Sequence, residues 1–96
     1  MWTIQIAKSA DKVLKKAPLE LRNAFDAWKN VIQLQGVSGL KAINGYRDHS
    51  LKGDWEGARS SPLNSQWRVI YLVSDKEVTI FVLEVNPHDY RRKLRN

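Results

Sequence analysis

Two side chains near predicted β-strands could do phosphate chemistry. Arg68 lies inside the apolar segment Trp67–Val73 and alternates onto the face of Ile70 and Leu72. A guanidinium on a rigid strand can grip a phosphate through paired hydrogen bonds. His88 follows the last predicted strand, and histidine is the side chain best suited to proton transfer near neutral pH. Arg68 is thus a candidate phosphate-binding residue and His88 a candidate general acid or base.

Each of these residues also has an ordinary structural explanation. Arg68 could extend to solvent or pair with Glu84, and His88 could be a solvated turn residue. Tyr90 could stack on a nucleobase or shuttle a proton, whereas Asp89 fits better as the cap of a turn. The residues alone therefore leave catalytic and structural roles open.

A predicted loop segment, residues 46–57, carries a second set of polar and aromatic side chains. It places His49 and Lys52 between Tyr46 and Trp55, an interleaving typical of surfaces that bind single-stranded nucleic acid. The glycine spacing does not fit a phosphate-binding P-loop, because no Gly-Lys-Ser/Thr follows. The plain alternative is a connecting loop with solvated charges.

Composition narrows the partners and the reagents. The 96 residues include sixteen Lys or Arg against ten Asp or Glu, a formal charge of +6 that favours a polyanionic partner. The absence of cysteine excludes disulfides, thiolate metal sites and thiol nucleophiles. With two histidines and no ligand spacing, we expect neither metal nor cofactor. The N-terminal apolar stretch is too short for a signal peptide, so we expect a cytoplasmic protein without membrane association.

The N-terminal half predicts a strand followed by two helices. Residues 2–6 alternate as a strand, and Ser9 is placed to cap a helix over residues 10–16. A second helix starts at Pro18, carries an apolar stripe and stops at Gly36, and residues 38–43 could add one more turn. The two helices are expected to pack as a hairpin.

The C-terminal half predicts a sheet. A weak strand covers residues 55–61 and ends at Pro62, and two strong strands cover 67–73 and 78–85, with Pro87 stopping the last. A tight turn at 74–77 joins the strong strands, and their two apolar faces place them at the centre of the sheet. We therefore predict one α+β domain over residues 1–96, with element order β-α-α-β-β-β and a small, mainly antiparallel sheet.

Three segments together resemble the RelE/ParE superfamily of toxins from bacterial toxin–antitoxin pairs, most closely its HigB and YafQ branches. They are the loop His49–Gly57, the strand start Trp67–Tyr71 and the end segment Asn86–Tyr90. The resemblance extends along essentially the whole chain and implies the RelE-like fold. It also implies a type II toxin, an enzyme that cleaves mRNA in the ribosomal A site without metal, inhibited by a cognate antitoxin and monomeric within that complex.

The resemblance also assigns residues. Arg68 matches the phosphate-binding arginine, His88 the catalytic histidine of YafQ-like members, His49 a loop histidine and Tyr90 a HigB tyrosine, which together form the expected catalytic set. Arg59 takes the place of an active-site lysine, but Ser61 stands where RelE has a second one, which favours a histidine-based mechanism. The expected RNA-binding residues are Lys52, Trp55, Arg59, Arg91, Arg92 and Lys93, with the basic ones among them and Arg68 around one sheet face.

Two other functions remain open at this point. ParE-like members share the fold but inhibit DNA gyrase without cleaving RNA, and a basic domain of this size could also bind nucleic acid without catalysis. Convergence of the histidines and Arg68 on one sheet face would favour RNA cleavage.

Overall fold

Two helices and a five-stranded sheet make up the part of the chain that the computed structural model describes, residues 1–87. The elements are β1 (Thr3–Ile6), α1 (Lys8–Lys16), α2 (Leu19–Lys41), β2 (His49–Ser50), β3 (Arg59–Pro62), β4 (Trp67–Ser74) and β5 (Thr79–Pro87), with short 3₁₀ turns at Asn44–Tyr46 and Gly53–Trp55. The strand order is β1-β5-β4-β3-β2, and every neighbouring pair is antiparallel except β1 and β5. The predicted α+β class and the central position of the two strong strands are confirmed.

The first helix begins earlier than predicted. Ala7 is still extended, because its N–H donates to the Val82 carbonyl at the end of the β1–β5 ladder (2.9 Å), and the helix starts at the next residue. Ser9 therefore lies inside the first turn and caps nothing, so that prediction is wrong. The second helix starts at Leu19 with Pro18 as its N-cap, one residue after the predicted start.

Gly36 interrupts the second helix rather than ending it. The chain continues in helical form to Lys41 across a break at Gly36, where φ is 69° and ψ is −163°. This backbone region is essentially restricted to glycine. A β-carbon added at Gly36 would also lie 2.8 Å from Nε1 of Trp2. The predicted stop is thus a sharp bend, and the extra turn predicted after it is the second part of α2.

Substituting Gly36 with alanine should lower the free energy of unfolding by about 2–3 kcal/mol, because the new side chain meets both the backbone strain and Trp2. Urea unfolding followed by circular dichroism measures the change. Gly45→Ala is the matched control, since a β-carbon there meets nothing within 4 Å and its φ is ordinary. A Gly36→Ala protein as stable as this control would contradict the argument.

The third strand begins later than predicted and includes the proline. Residues 53–55 form a 3₁₀ turn closed by the hydrogen bond from Glu56 N–H to the Gly53 carbonyl (3.0 Å), so the extended chain starts only at Arg59. Pro62 lies within the strand, paired with Arg68 across the β3–β4 ladder. The short strand His49–Ser50, at the edge of the sheet, was not predicted.

The two faces of the sheet differ in what they pack against. On the helix side, Trp28 of α2 packs against Phe25 (ring centroids 5.6 Å apart) and Tyr71 of β4 (5.2 Å). Alternation along β4 places Arg68, Ile70 and Leu72 on the other side, called here the distal face. Within residues 1–87, neither helix combines the length and apolarity needed to cross a membrane.

Candidate active site

Arg68 lies on the distal face near the start of a central strand. Its Nε donates a hydrogen bond to Oδ1 of Asn86, its direct partner across the β4–β5 ladder (3.0 Å). Asn86 in turn donates from Nδ2 to Oε1 of Glu84 (2.6 Å). Arg68 is therefore linked to Glu84 through Asn86 rather than paired with it, and in the described chain Asn86 is its one side-chain partner. The guanidinium is oriented through Nε, and within residues 1–87 no side chain bonds its two terminal nitrogens, which could donate to a ligand.

His49 lies on the same face at the sheet's edge. It pairs with Ser60 of β3, and Ser60 pairs with Ile70 of β4, so these three residues form one row across the distal face. The imidazole is exposed, and its Nδ1 lies 2.8 Å from the carbonyl oxygen of Arg47. Strand spacing and rise per residue put the Cα atoms of His49 and Arg68 roughly 12 Å apart. Both residues therefore lie on the same face of the sheet, on strands that are two positions apart.

Arg59 does not lie with them. It pairs with Tyr71 across the β3–β4 ladder, which places it on the helix side. Its Nε and Nη2 both lie 2.6 Å from Oδ1 of Asp48, and its side chain is 21% exposed. The expectation that Arg59 joins Arg68 on one sheet face is thus wrong. Lys52 is exposed at the start of the second 3₁₀ turn, and Trp55 is half-buried at its end.

Asp48 is the residue that sequence reasoning missed. Its side chain is fully buried, yet Oδ1 accepts from Arg59 and Oδ2 accepts from the hydroxyls of Ser61 (2.7 Å) and Tyr71. Three donor side chains thus satisfy one buried carboxylate, as burial of a charge demands. The available signal was alternation: in an extended segment Asp48 must face opposite to the exposed His49.

Burial and the carboxylate shift the pKa values of the donors. Burial raises the pKa of the Tyr71 phenol strongly, and the hydrogen bond to Asp48 raises it further. Burial lowers the pKa of Arg59, but the hydrogen bond and charge of Asp48 outweigh this, and the net direction is upward. Tyr71 therefore stays protonated and Arg59 charged, the states in which both donate to Asp48.

Replacing Tyr71 with phenylalanine tests this cluster through pH. Near pH 7 the variant should be less stable by about 1–2 kcal/mol, because Asp48 loses a donor. The native pKa of Tyr71 is raised above 10.0, so its contribution is complete below that pH and is lost as pH rises beyond it, when the unfolded chain ionises first.

The gap in stability between wild type and Tyr71→Phe should therefore narrow between about pH 9 and pH 11, by at most about 1.4 kcal/mol per pH unit. Urea midpoints of both proteins across this range measure the gap. All other titrating groups are shared, so they cancel in the comparison. A gap that stays constant would contradict the link between Tyr71 and Asp48.

The remaining site residues named from the sequence follow the last described strand. His88, Tyr90, Arg91, Arg92 and Lys93 lie outside the described residues. Among residues 1–87, no group of three or more His, Asp or Glu side chains is arranged to hold a metal ion. The described part of the candidate site is therefore Arg68 and His49 on the distal face, each held by an identified partner.

No protein-family model matches the sequence, and no curated protein matches it. Solved structures do match. YafQ from Escherichia coli BL21(DE3) superposes with a TM-score of 0.75 at 20% identity, over 92% of this chain and 94% of that one. RelE in the RelE–RelB complex of Pyrococcus horikoshii gives 0.74 at 23% identity, over 93% and 97%.

A third similar structure is a complex. The YoeB–YefM complex from Staphylococcus aureus matches with a TM-score of 0.72 at 18% identity, over 92% of this chain and 98% of that one. All three comparisons span nearly the full length of both chains, so they concern the whole fold. At these identities they establish architecture alone: the chain has the fold of these YafQ, RelE and YoeB structures.

Proposed function

We propose that this protein is the toxin of a type II toxin–antitoxin pair and acts as an endoribonuclease on mRNA in the ribosomal A site. The observation that carries the proposal is the shared placement of Arg68 and His49 on the distal face. The similarity in fold to YafQ, RelE and YoeB supports it. Ribosome-bound mRNA would make the cytoplasm its place of action.

The proposed reaction is an internal transesterification. The ribose 2′-oxygen attacks the adjacent phosphorus, the bond from phosphorus to the 5′-oxygen breaks, and a 2′,3′-cyclic phosphate and a 5′-hydroxyl result. One group must take the proton of the 2′-hydroxyl and another must protonate the leaving 5′-oxygen. The proposal gives these two steps to His49 and His88, with Tyr90 assisting. Arg68 stabilises the negative charge that develops on the phosphate.

The basic and aromatic residues named from the sequence have a binding role in this proposal. Lys52 would contact the RNA backbone and Trp55 would pack against a base, and the same contribution is proposed for Arg91, Arg92 and Lys93. Arg59, being paired with Asp48, supports the site from the helix side. A cognate antitoxin is the proposed inhibitor, since RelE–RelB and YoeB–YefM were solved as complexes.

Mapping mRNA 5′ ends on translating ribosomes tests the proposal. Wild-type protein should generate new ends at A-site codons, and His88→Ala should reduce their yield by about 10²-fold. A 2′-deoxy nucleotide at the scissile position removes the nucleophile, so an mRNA carrying it should resist cleavage. Intact mRNA in the presence of folded wild-type protein would contradict the proposed endonuclease activity.

The assay also separates the ParE-like alternative. If no mRNA is cut and the protein inhibits DNA supercoiling by gyrase, its function would be gyrase inhibition. Unchanged gyrase activity, with RNA binding that persists in His88→Ala, would instead indicate a binding module without catalysis.

A further inference from the structure

The residue before the buried aspartate has an unusual backbone. Arg47 is in the left-handed region, with φ of 41° and ψ of 45°, and it is one of only two non-glycine residues with positive φ in the described chain. This conformation costs an ordinary residue of order 1 kcal/mol and persists only where the surroundings enforce it. Here its effect is to bring the Arg47 carbonyl oxygen to 2.8 Å from Nδ1 of His49.

The surroundings that enforce it are the contacts of Asp48. This residue lies between Arg47 and His49, and its carboxylate is held from the helix side by Arg59, Ser61 and Tyr71. Those three donors come from β3 and β4, the interior of the sheet. The backbone of residues 47–49 is thereby fixed to the sheet, although the side chain of His49 on the opposite face is exposed.

The hydrogen bond to Arg47 determines which ring nitrogen carries the proton. A carbonyl oxygen can only accept, so Nδ1 must donate, and in the neutral ring Nε2 then has a free lone pair. In free histidine nothing enforces this choice. The segment thus presents the distal face with an imidazole whose outer nitrogen is an acceptor.

We infer that Asp48 and the Arg47 carbonyl are positioning elements that select the Nδ1–H tautomer of His49, so that Nε2 is the atom that accepts the proton of the 2′-hydroxyl. The inference rests on the proposed function for its substrate, but not for the tautomer itself. It assigns the base to His49 and leaves the acid, which protonates the 5′-oxygen, to the C-terminal end of the chain.

The tautomer can be read by long-range ¹H–¹⁵N correlation NMR of the free protein at about pH 8.5, where an ordinary imidazole is neutral. Comparison with His49→Gln assigns the signals, because the chain has only two histidines. We expect the Nδ1–H form to be the major species in the wild type. Arg47→Val should abolish this preference, since a β-branched residue resists positive φ.

Arg47→Asn is the matched variant. Asparagine removes the same charge but tolerates the left-handed conformation, so the Nδ1–H tautomer should persist. Ribosomal mRNA cleavage is then measured for both variants, after circular dichroism confirms that they are folded. Arg47→Val should lose about tenfold in kcat with little change in KM. Loss of a contact between the Arg47 charge and the RNA phosphate backbone would not give this pattern.

The outcomes are separable. A wild-type ring protonated mainly on Nε2, or a tautomer unchanged in Arg47→Val, overturns the positioning role. A tautomer that changes in Arg47→Val while kcat stays at the wild-type value overturns the role of Nε2 as base. An Nδ1–H wild type that cuts no mRNA supports the arrangement of His49 and contradicts the proposed function instead.

Discussion

Replacing Arg68 with alanine should lower kcat for mRNA cleavage on ribosomes by about 10²-fold or more, while KM changes little. The reason is electrostatic: the phosphate gains negative charge at the transition state, and a fixed cation contributes most where charge develops. Arg68 is the one Lys or Arg in the two central strands as described, and Asn86 orients it through Nε. The protein should stay folded, because the side chain is only half-buried.

Two further variants show whether charge or geometry matters. Arg68→Lys keeps the charge but loses the planar pair of donors, so an intermediate loss of about tenfold is expected. Lys76→Ala is the control for net charge, because Lys76 lies in the turn at the far end of β4, roughly 20 Å or more along the strand from Arg68. Cleavage by Arg68→Ala within threefold of the Lys76→Ala rate would contradict a role for Arg68 in the reaction.

The central strands were predictable because local pattern and tertiary environment agree there. The runs at 67–73 and 78–85 are β-branched and aromatic on both faces, and such runs fit only the middle of a covered sheet. Where the two disagree, prediction failed. Glycine at position 36 is the residue type that commonly ends a helix. Trp2, from the N-terminal end of the chain, packs against Gly36, and the helix continues after the bend.

The candidate site divides in the same way. Arg68 and His49 are candidates by residue type alone. A charged residue in an apolar strand and a histidine in a basic loop are both visible in the sequence. Asp48 did not stand out, because its donors are 11, 13 and 23 residues away and belong to two other strands. Alternation predicts that Asp48 faces away from His49, but no local pattern shows that this side is buried or that Arg59 is the partner of Asp48.

Replacing Asp48 with alanine should lower the free energy of unfolding by about 3 kcal/mol. Removal of one partner from a buried ion pair leaves the other charge uncompensated, at a cost of about 3–5 kcal/mol. The lower end applies because Arg59 retains 21% exposure and can reach water. Urea unfolding measures the loss, and Asp54→Asn, an exposed carboxylate six residues on, should change stability by less than about 0.5 kcal/mol.

A double-mutant cycle with Arg59→Met decides whether the stability lost in Asp48→Ala comes from the broken Asp48–Arg59 ion pair or from the lost side-chain volume. If the ion pair stabilises the fold, Asp48→Ala and Arg59→Met together should cost less than the sum of the two single changes, by about 1–3 kcal/mol. Each single variant leaves one charge of the pair without its partner, whereas the double variant removes both charges. Strictly additive losses would mean that the two residues stabilise the protein independently. In that case Asp48 could not transmit the rigidity of β3 and β4 to His49 through Arg59, and Ser61 and Tyr71 alone would have to hold the segment.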